Sequence, residues 1–153
     1  MDHLHSWLLT QVAAHAHRLV AEGMGAVGAR GYHYRLLSSL IEEGPASQAA
    51  LGRRTNIHLS DLVGALNELE DGGFITRNTD ISDRRRNVIT VTPKGRDRAD
   101  ELAERAKTVQ DDLLGPLSQE ERDILAGLLR RLLDHHAPAA AHRPGRRGDA
   151  AGS

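Results

Sequence analysis

Between residues 47 and 92 the hydrophobic period changes from that of a helix to that of a strand, and this switch constrains the fold more than any other feature. Ser47 is suited to cap a short helix, Gln48 to about Arg54, anchored by Ala50 and Leu51. Thr55-Asn56-Ile57 predicts a tight turn, and Leu59, Leu62, Val63, Leu66 and Leu69 recur at helical intervals from about His58 to Asp71. Gly72-Gly73 supplies the stop. Phe74–Thr79 and Val88–Thr92 then read as two strands, the second rich in β-branched residues, around a polar segment with three consecutive arginines. A short helix, a turn, a longer helix and a hairpin with a cationic tip together predict a winged helix-turn-helix. Such a unit lays its second helix in the DNA major groove, and the hairpin is its wing.

The flanks read as helices. Leu4, Trp7, Leu8, Val12, Ala16, Leu19 and Val20 share one helical face, and Gly23, Gly25 and Gly28 are expected to break it. A second helix runs from about Tyr32, with Leu36, Leu37, Leu40 and Ile41 inward, until Gly44-Pro45. Thr92-Pro93 opens another helix and Gly115-Pro116 interrupts it. Ser118-Gln119-Glu120-Glu121 is a capping box for a last helix carrying Ile124, Leu125, Leu128, Leu129, Leu132 and Leu133. From Ala137 onward no periodicity survives, and residues 137–153 are expected to be a disordered tail. The fold class expected is mainly α with a small β-hairpin wing.

The chain has no cysteine, which excludes disulfides, cysteine-ligated metals and thiol switching within it. A net charge of -1 argues against bulk, non-specific coating of nucleic acid and makes the position of each charge decisive. No apolar run approaches a membrane span and no signal peptide is legible, so a cytoplasmic location is the default expectation. No nucleophile turn, phosphate loop or carboxylate pair stands out, so an enzyme is not expected and no cofactor is implied.

Three segments carry a resemblance: Leu69-Glu70-Asp71-Gly72-Gly73-Phe74-Ile75, Asp80-Ile81-Ser82-Asp83-Arg84-Arg85, and Val91-Thr92-Pro93-Lys94-Gly95. In that order they resemble the MarR family of transcriptional regulators, over about Leu4 to His135. The resemblance implies one domain over residues 1–136, with a winged core at about 32–92 and dimerisation helices at about 4–22 and 93–136. It also implies a symmetric homodimer on a pseudo-palindromic DNA operator. By the same resemblance Arg84 is expected to enter the minor groove. Asp83 and Arg85 are expected to pair and stiffen the hairpin, and Arg86 and Asn87 to reach phosphates.

In the recognition helix, His58, Ser60 and Leu59 are the candidates for base reading, Asp61 for a cytosine amino group, and Gly64 for close approach. No arginine or lysine occurs from His58 to Asp71, a departure that leaves open a winged-helix module that binds another protein. Ser47, Gln48, Arg53, Arg54 and Arg77 are suited to phosphates, which position a protein without specifying sequence. Lys94, Arg96 and Arg98 add positive charge nearby.

The family's small anionic or phenolic effectors imply a ligand site where the flanking helices meet the winged unit. Trp7, Gln11, His15, Tyr32 and His33 are the candidates there, with interface packing of Trp7 and Tyr32 as the alternative. The nine histidines raise a zinc-responsive regulator as a further alternative, although His15 and His17, two apart on a helix, cannot share one ion.

Overall fold

A computed structural model describes residues 3–79, 82 and 87–137. The element order is α1 (His5–Gly25), α2 (Gly31–Glu43), α3 (Gln48–Thr55), α4 (Leu59–Asp71), β1 (Ile75–Thr79), β2 (Asn87–Val91), α5 (Pro93–Leu114) and α6 (Gln119–His136). This is the expected fold class. The expected tail lies outside the described residues from 138 onward. The chain divides into two compact units, residues 1–113 and 114–153.

In the first unit the inward faces of α2, α3 and α4 meet the hairpin and α5 around one core. Leu36, Leu37, Leu40, Leu51, Leu62, Leu66, Leu69, Ile75, Ile89 and Leu102 are each less than 2% exposed. Burying each such side chain stabilises the fold by about 1.5–3 kcal/mol before chain entropy is counted. Leu59 and Val63 depart from the inward set: both lie on the outer side of α4, and Leu59 is 63% exposed. With thirteen residues and a buried face at Leu62, Ala65, Leu66 and Leu69, α4 has room for only one inward stripe.

The strands pair antiparallel with Ile75 opposite Val91 and Thr79 opposite Asn87. Ala46, between α2 and α3, adds a bridge to Ile89 through two hydrogen bonds of 2.8 and 3.2 Å. No strand pattern in the sequence announces it, because a single bridging residue has no period.

The first helix runs further than its glycines predict. Gly23 lies inside α1, where a methyl group would collide with Val109 of α5, so it serves close helix packing. The helix ends where Gly28 turns to φ 69° and the Ala29 N–H returns to the Met24 carbonyl at 2.9 Å. Only the C-terminal end of α1 joins the core, through Met24 and Val20; Leu4, Trp7, Leu8, Leu9 and Val12 are exposed.

The second unit is carried by α6, opened by the expected box. Ser118 Oγ accepts the Glu121 N–H at 3.2 Å and the Glu121 carboxylate accepts the Ser118 N–H at 3.0 Å. Ile124, Leu128, Leu129, Leu132 and Leu133 form an exposed apolar stripe along it. Among the described residues no helix is long and apolar enough to cross a membrane.

Candidate nucleic-acid interface

The turn between α3 and α4 is built by two local devices. Ser47 Oγ accepts the Ala50 N–H at 3.2 Å and so starts α3, and Thr55 Oγ1 donates to the Leu51 carbonyl at 2.7 Å near its end. Asn56 then takes φ 52°, a left-handed conformation that asparagine tolerates better than most residues, and buried Ile57 anchors the turn. His58 is the residue before α4, and its Nδ1 lies 3.1 Å from Ser60 Oγ.

The outer side of α4 therefore presents Leu59, Ser60, Val63, Gly64 and Asn67, all exposed, with Asp61 beside them in the first turn. A methyl group added at Gly64 would touch nothing, so the helix is bare there. This strip is uncharged apart from Asp61. It offers apolar contact and hydroxyl or amide hydrogen bonds, the groups that suit thymine methyls and base edges.

Several cations that the sequence offers to phosphates, or places near the wing, are engaged inside the protein. Arg54 donates to the Gly44 carbonyl at 2.9 Å and lies 3.5 Å from Glu43. Arg77 of β1 donates to Asn67 Oδ1 at 2.8 Å, while its buried Nε has no hydrogen-bond partner and stands 3.8 Å from Glu70. That contact ties the wing strand to the outer side of α4. Lys94 donates to the Gly72 carbonyl at 2.7 Å, where the end of a helix leaves acceptors open, and lies over the Phe74 ring. Arg98 donates to the Val27 carbonyl at 2.6 Å, pairs with Glu101 and flanks the same ring. Arg53 and Arg96 are exposed and make no ion pair among the described residues. Gln48 is half-buried at the start of α3, and Asn87 is exposed at the far end of β2. Arg84, Arg85 and Arg86, with Asp83, lie outside the described residues.

A cavity of about 660 Å³ lies between α1, the start of α2 and α5, lined in part by His17, Val20, Tyr32, Tyr34, Arg35 and Gln110. Of the five ligand candidates only Tyr32 lines it, and Trp7, Gln11 and His15 sit on exposed α1 surface. Arg35 and Gln110 carry no signal in the sequence, since a cavity wall drawn from three helices has no linear spacing.

His33 occupies a different place from the one expected. It is buried, its Nδ1 accepts the Arg30 N–H at 3.3 Å, and its Nε2 lies 2.7 Å from Glu68 of α4. Since Nδ1 accepts, Nε2 carries the proton and donates to the carboxylate. Burial holds this imidazole below its ordinary value of 6.5; the Glu68 carboxylate pulls the other way, and the Arg30 and Arg98 charges add to the lowering. A histidine that protonates less readily when folded contributes stability above pH 6.5 that is lost as pH falls through the lower native value. Wild-type protein should thus lose more stability between pH 7.5 and 5 than the His33→Gln variant, by urea unfolding. Equal losses would show that the imidazole is not held neutral.

With this geometry in place, comparison with known proteins is direct. The profile of the MarR family matches residues 28–86. A transcriptional regulatory protein assigned to the hcr operon of Thauera aromatica is 33% identical over 108 residues, which cover 69% of this chain and 65% of that protein. The chain thus spans somewhat under two thirds of that relative's length. A crystal structure of a probable transcriptional regulator from Pseudomonas aeruginosa is 34% identical, covers 86% of this chain and 98% of its own, and has a TM-score of 0.77. The Bordetella bronchiseptica protein BpsR, whose DNA binding is regulated by 6-hydroxynicotinic acid, shares the fold at a TM-score of 0.79 and 22% identity, over 88% and 96% of the two chains.

Proposed function

The chain belongs to the MarR family of transcriptional regulators, and from that premise we propose that it acts as a homodimeric, sequence-specific DNA-binding repressor released by a small aromatic or phenolic ligand. The observation that carries the reading is the exposed strip of α4, Leu59, Ser60, Val63, Gly64 and Asn67, held on a packed core beside the hairpin. In the major groove Leu59 meets thymine methyls, and Ser60 and His58 reach base edges. Ser47, Gln48 and Arg53 serve phosphates, Arg84 the minor groove, and Arg86 and Asn87 the flanking backbone, on a hairpin stiffened by Asp83 and Arg85.

Two helices leave apolar faces uncovered, α1 at Leu4, Trp7, Leu8, Leu9 and Val12, and α6 along its stripe. Contiguous apolar surface of this kind marks an association site, and the occupant is a second copy of the chain. Two copies of α4 about 34–36 Å apart match a pseudo-palindromic operator. The cavity suits a ring bearing an acid or hydroxyl group, with Tyr32 and Val20 against the ring and His17, Arg35 or Gln110 toward its polar substituent. A ligand releases DNA only to the extent that it binds better to the form with the wrong spacing of the two helices.

Footprinting on the DNA upstream of the chain's own gene tests this, without and with benzoate or 6-hydroxynicotinic acid. A two-fold symmetric footprint that weakens with salt is expected. Arg84→Ala should weaken binding about tenfold, within the ~1–3 kcal/mol of a lost groove contact. Absence of any protected site would defeat the DNA reading. A protein-binding winged-helix module would then be favoured, since α4 carries no basic residue. Among the described residues no group of three or more histidine, aspartate or glutamate side chains is placed to hold a metal.

A further inference from the structure

One carboxylate joins the cavity to the recognition helix. Glu68 lies one helical turn beyond Gly64, at the edge of the exposed strip of α4, and next in sequence to Asn67. Its Oε1 lies 2.9 Å from the Arg30 guanidinium and its Oε2 2.7 Å from His33 Nε2. Arg30 also lines the cavity, at the point where the chain enters α2. Its own N–H closes the arrangement by donating to His33 Nδ1 at 3.3 Å. The two grips on Glu68 differ in kind. The His33 side chain is 9% exposed and held on both nitrogens, whereas the Arg30 side chain is 68% exposed and open to solvent.

We propose that Glu68 is a positioning residue through which the cavity rim holds α4, with Arg30 as the movable end of the link. An anionic group entering the cavity competes with Glu68 for the Arg30 guanidinium, and capture of that guanidinium loosens α4 from α2. Occupancy of the cavity thereby reaches the DNA-reading strip through one carboxylate, without any rearrangement of the apolar core. The inference rests on the proposed function for the role of α4 and of the cavity, but the link itself is a property of the free protein.

Arg30→Gln imitates a captured guanidinium at an exposed position, so folding is preserved. Amide hydrogen exchange on the full chain, free of DNA, is the primary readout. In Arg30→Gln the α4 amides should exchange about two- to fivefold faster, the range for a largely exposed ion pair. In Glu68→Gln, which weakens both grips, the rise should be about tenfold, as for hydrogen bonds to a charged group. The α5 amides should be unchanged in both, and the double variant should be no faster than Glu68→Gln alone, because both substitutions cut one link. Affinity for the upstream DNA should fall in the same order. Unchanged α4 exchange in Arg30→Gln would overturn the proposal. An equal rise in α5 would also do so, since it would mark a general loosening of the fold. Failure of the wild-type chain to bind that DNA would sink the proposed function, and the exchange pattern would still decide the link.

Discussion

Gly95→Ala is expected to lower the unfolding free energy by about 3 kcal/mol, the upper range for forcing a methyl group into packed surroundings. The added carbon would overlap the Phe74 carbonyl oxygen and stand 2.8 Å from Val91 Cγ2. The obstacle is backbone, which cannot rotate aside as a side chain does. Gly95 also sits in a knot that ties the end of α4 to the start of α5. Its N–H donates to Thr92 Oγ1 at 3.0 Å, that hydroxyl donates to the Gly73 carbonyl at 2.7 Å, and the Thr92 N–H donates to the Phe74 carbonyl at 3.0 Å. Displacing α5 by the width of a methyl would strain all three contacts and shift β1 against α4, so DNA affinity should fall together with stability. Urea unfolding of Gly95→Ala beside Gly64→Ala makes the comparison sharp. Gly64 meets open space, and alanine there should be neutral or stabilising, since glycine costs a helix about 1 kcal/mol relative to alanine. A Gly95→Ala loss under 0.5 kcal/mol, roughly the scatter of neutral surface changes, would mean that the close approach is not required.

The second large effect is expected from α6. In the double variant Leu128→Glu and Leu132→Glu, two charges enter the middle of the exposed stripe, one helical turn apart. Each leucine contributes about 1.5–3 kcal/mol when buried against a partner, and a carboxylate in its place must be desolvated without a cation. Two such changes in each of two copies should raise the dissociation constant of the proposed dimer by on the order of a thousandfold or more, at 1.4 kcal/mol per decade. Sedimentation at micromolar concentration should show a monomer with helix content intact. DNA binding should weaken at least a hundredfold, because two half-sites are no longer engaged by one linked molecule. A variant that still sediments as a dimer would remove α6 from the interface and leave the exposed half of α1 as the candidate.

Most of the fold was legible residue by residue. The change of period after Asp71, the box at Ser118 and the Gly-Pro stops each encode a local event, so the elements they bound appear within a residue or two of where the pattern places them. Where the reading missed, a distant neighbour had overridden a local rule. Gly23 reads as a helix breaker, yet its lack of a side chain is what admits Val109 from α5. Val63 fits a helical repeat, but the core already has its stripe from Leu62, Ala65, Leu66 and Leu69.

The site divides along the same line. Helix, turn, helix and hairpin, and hence the outward strip of α4, follow from spacing, because a helical period states which residues share a face. Which charges remain available for DNA does not follow from spacing. Arg77, Lys94 and Arg98 all look like wing cations in the linear text, and each is engaged by a carbonyl, a carboxamide or a ring once the chain closes. His33 and Glu68 are 35 residues apart, and Arg98 and Val27 are 71 apart. Periodicity reports only a residue's near neighbours, whereas a charge is committed by whichever group the packed core brings within about 3 Å, the reach of a hydrogen bond.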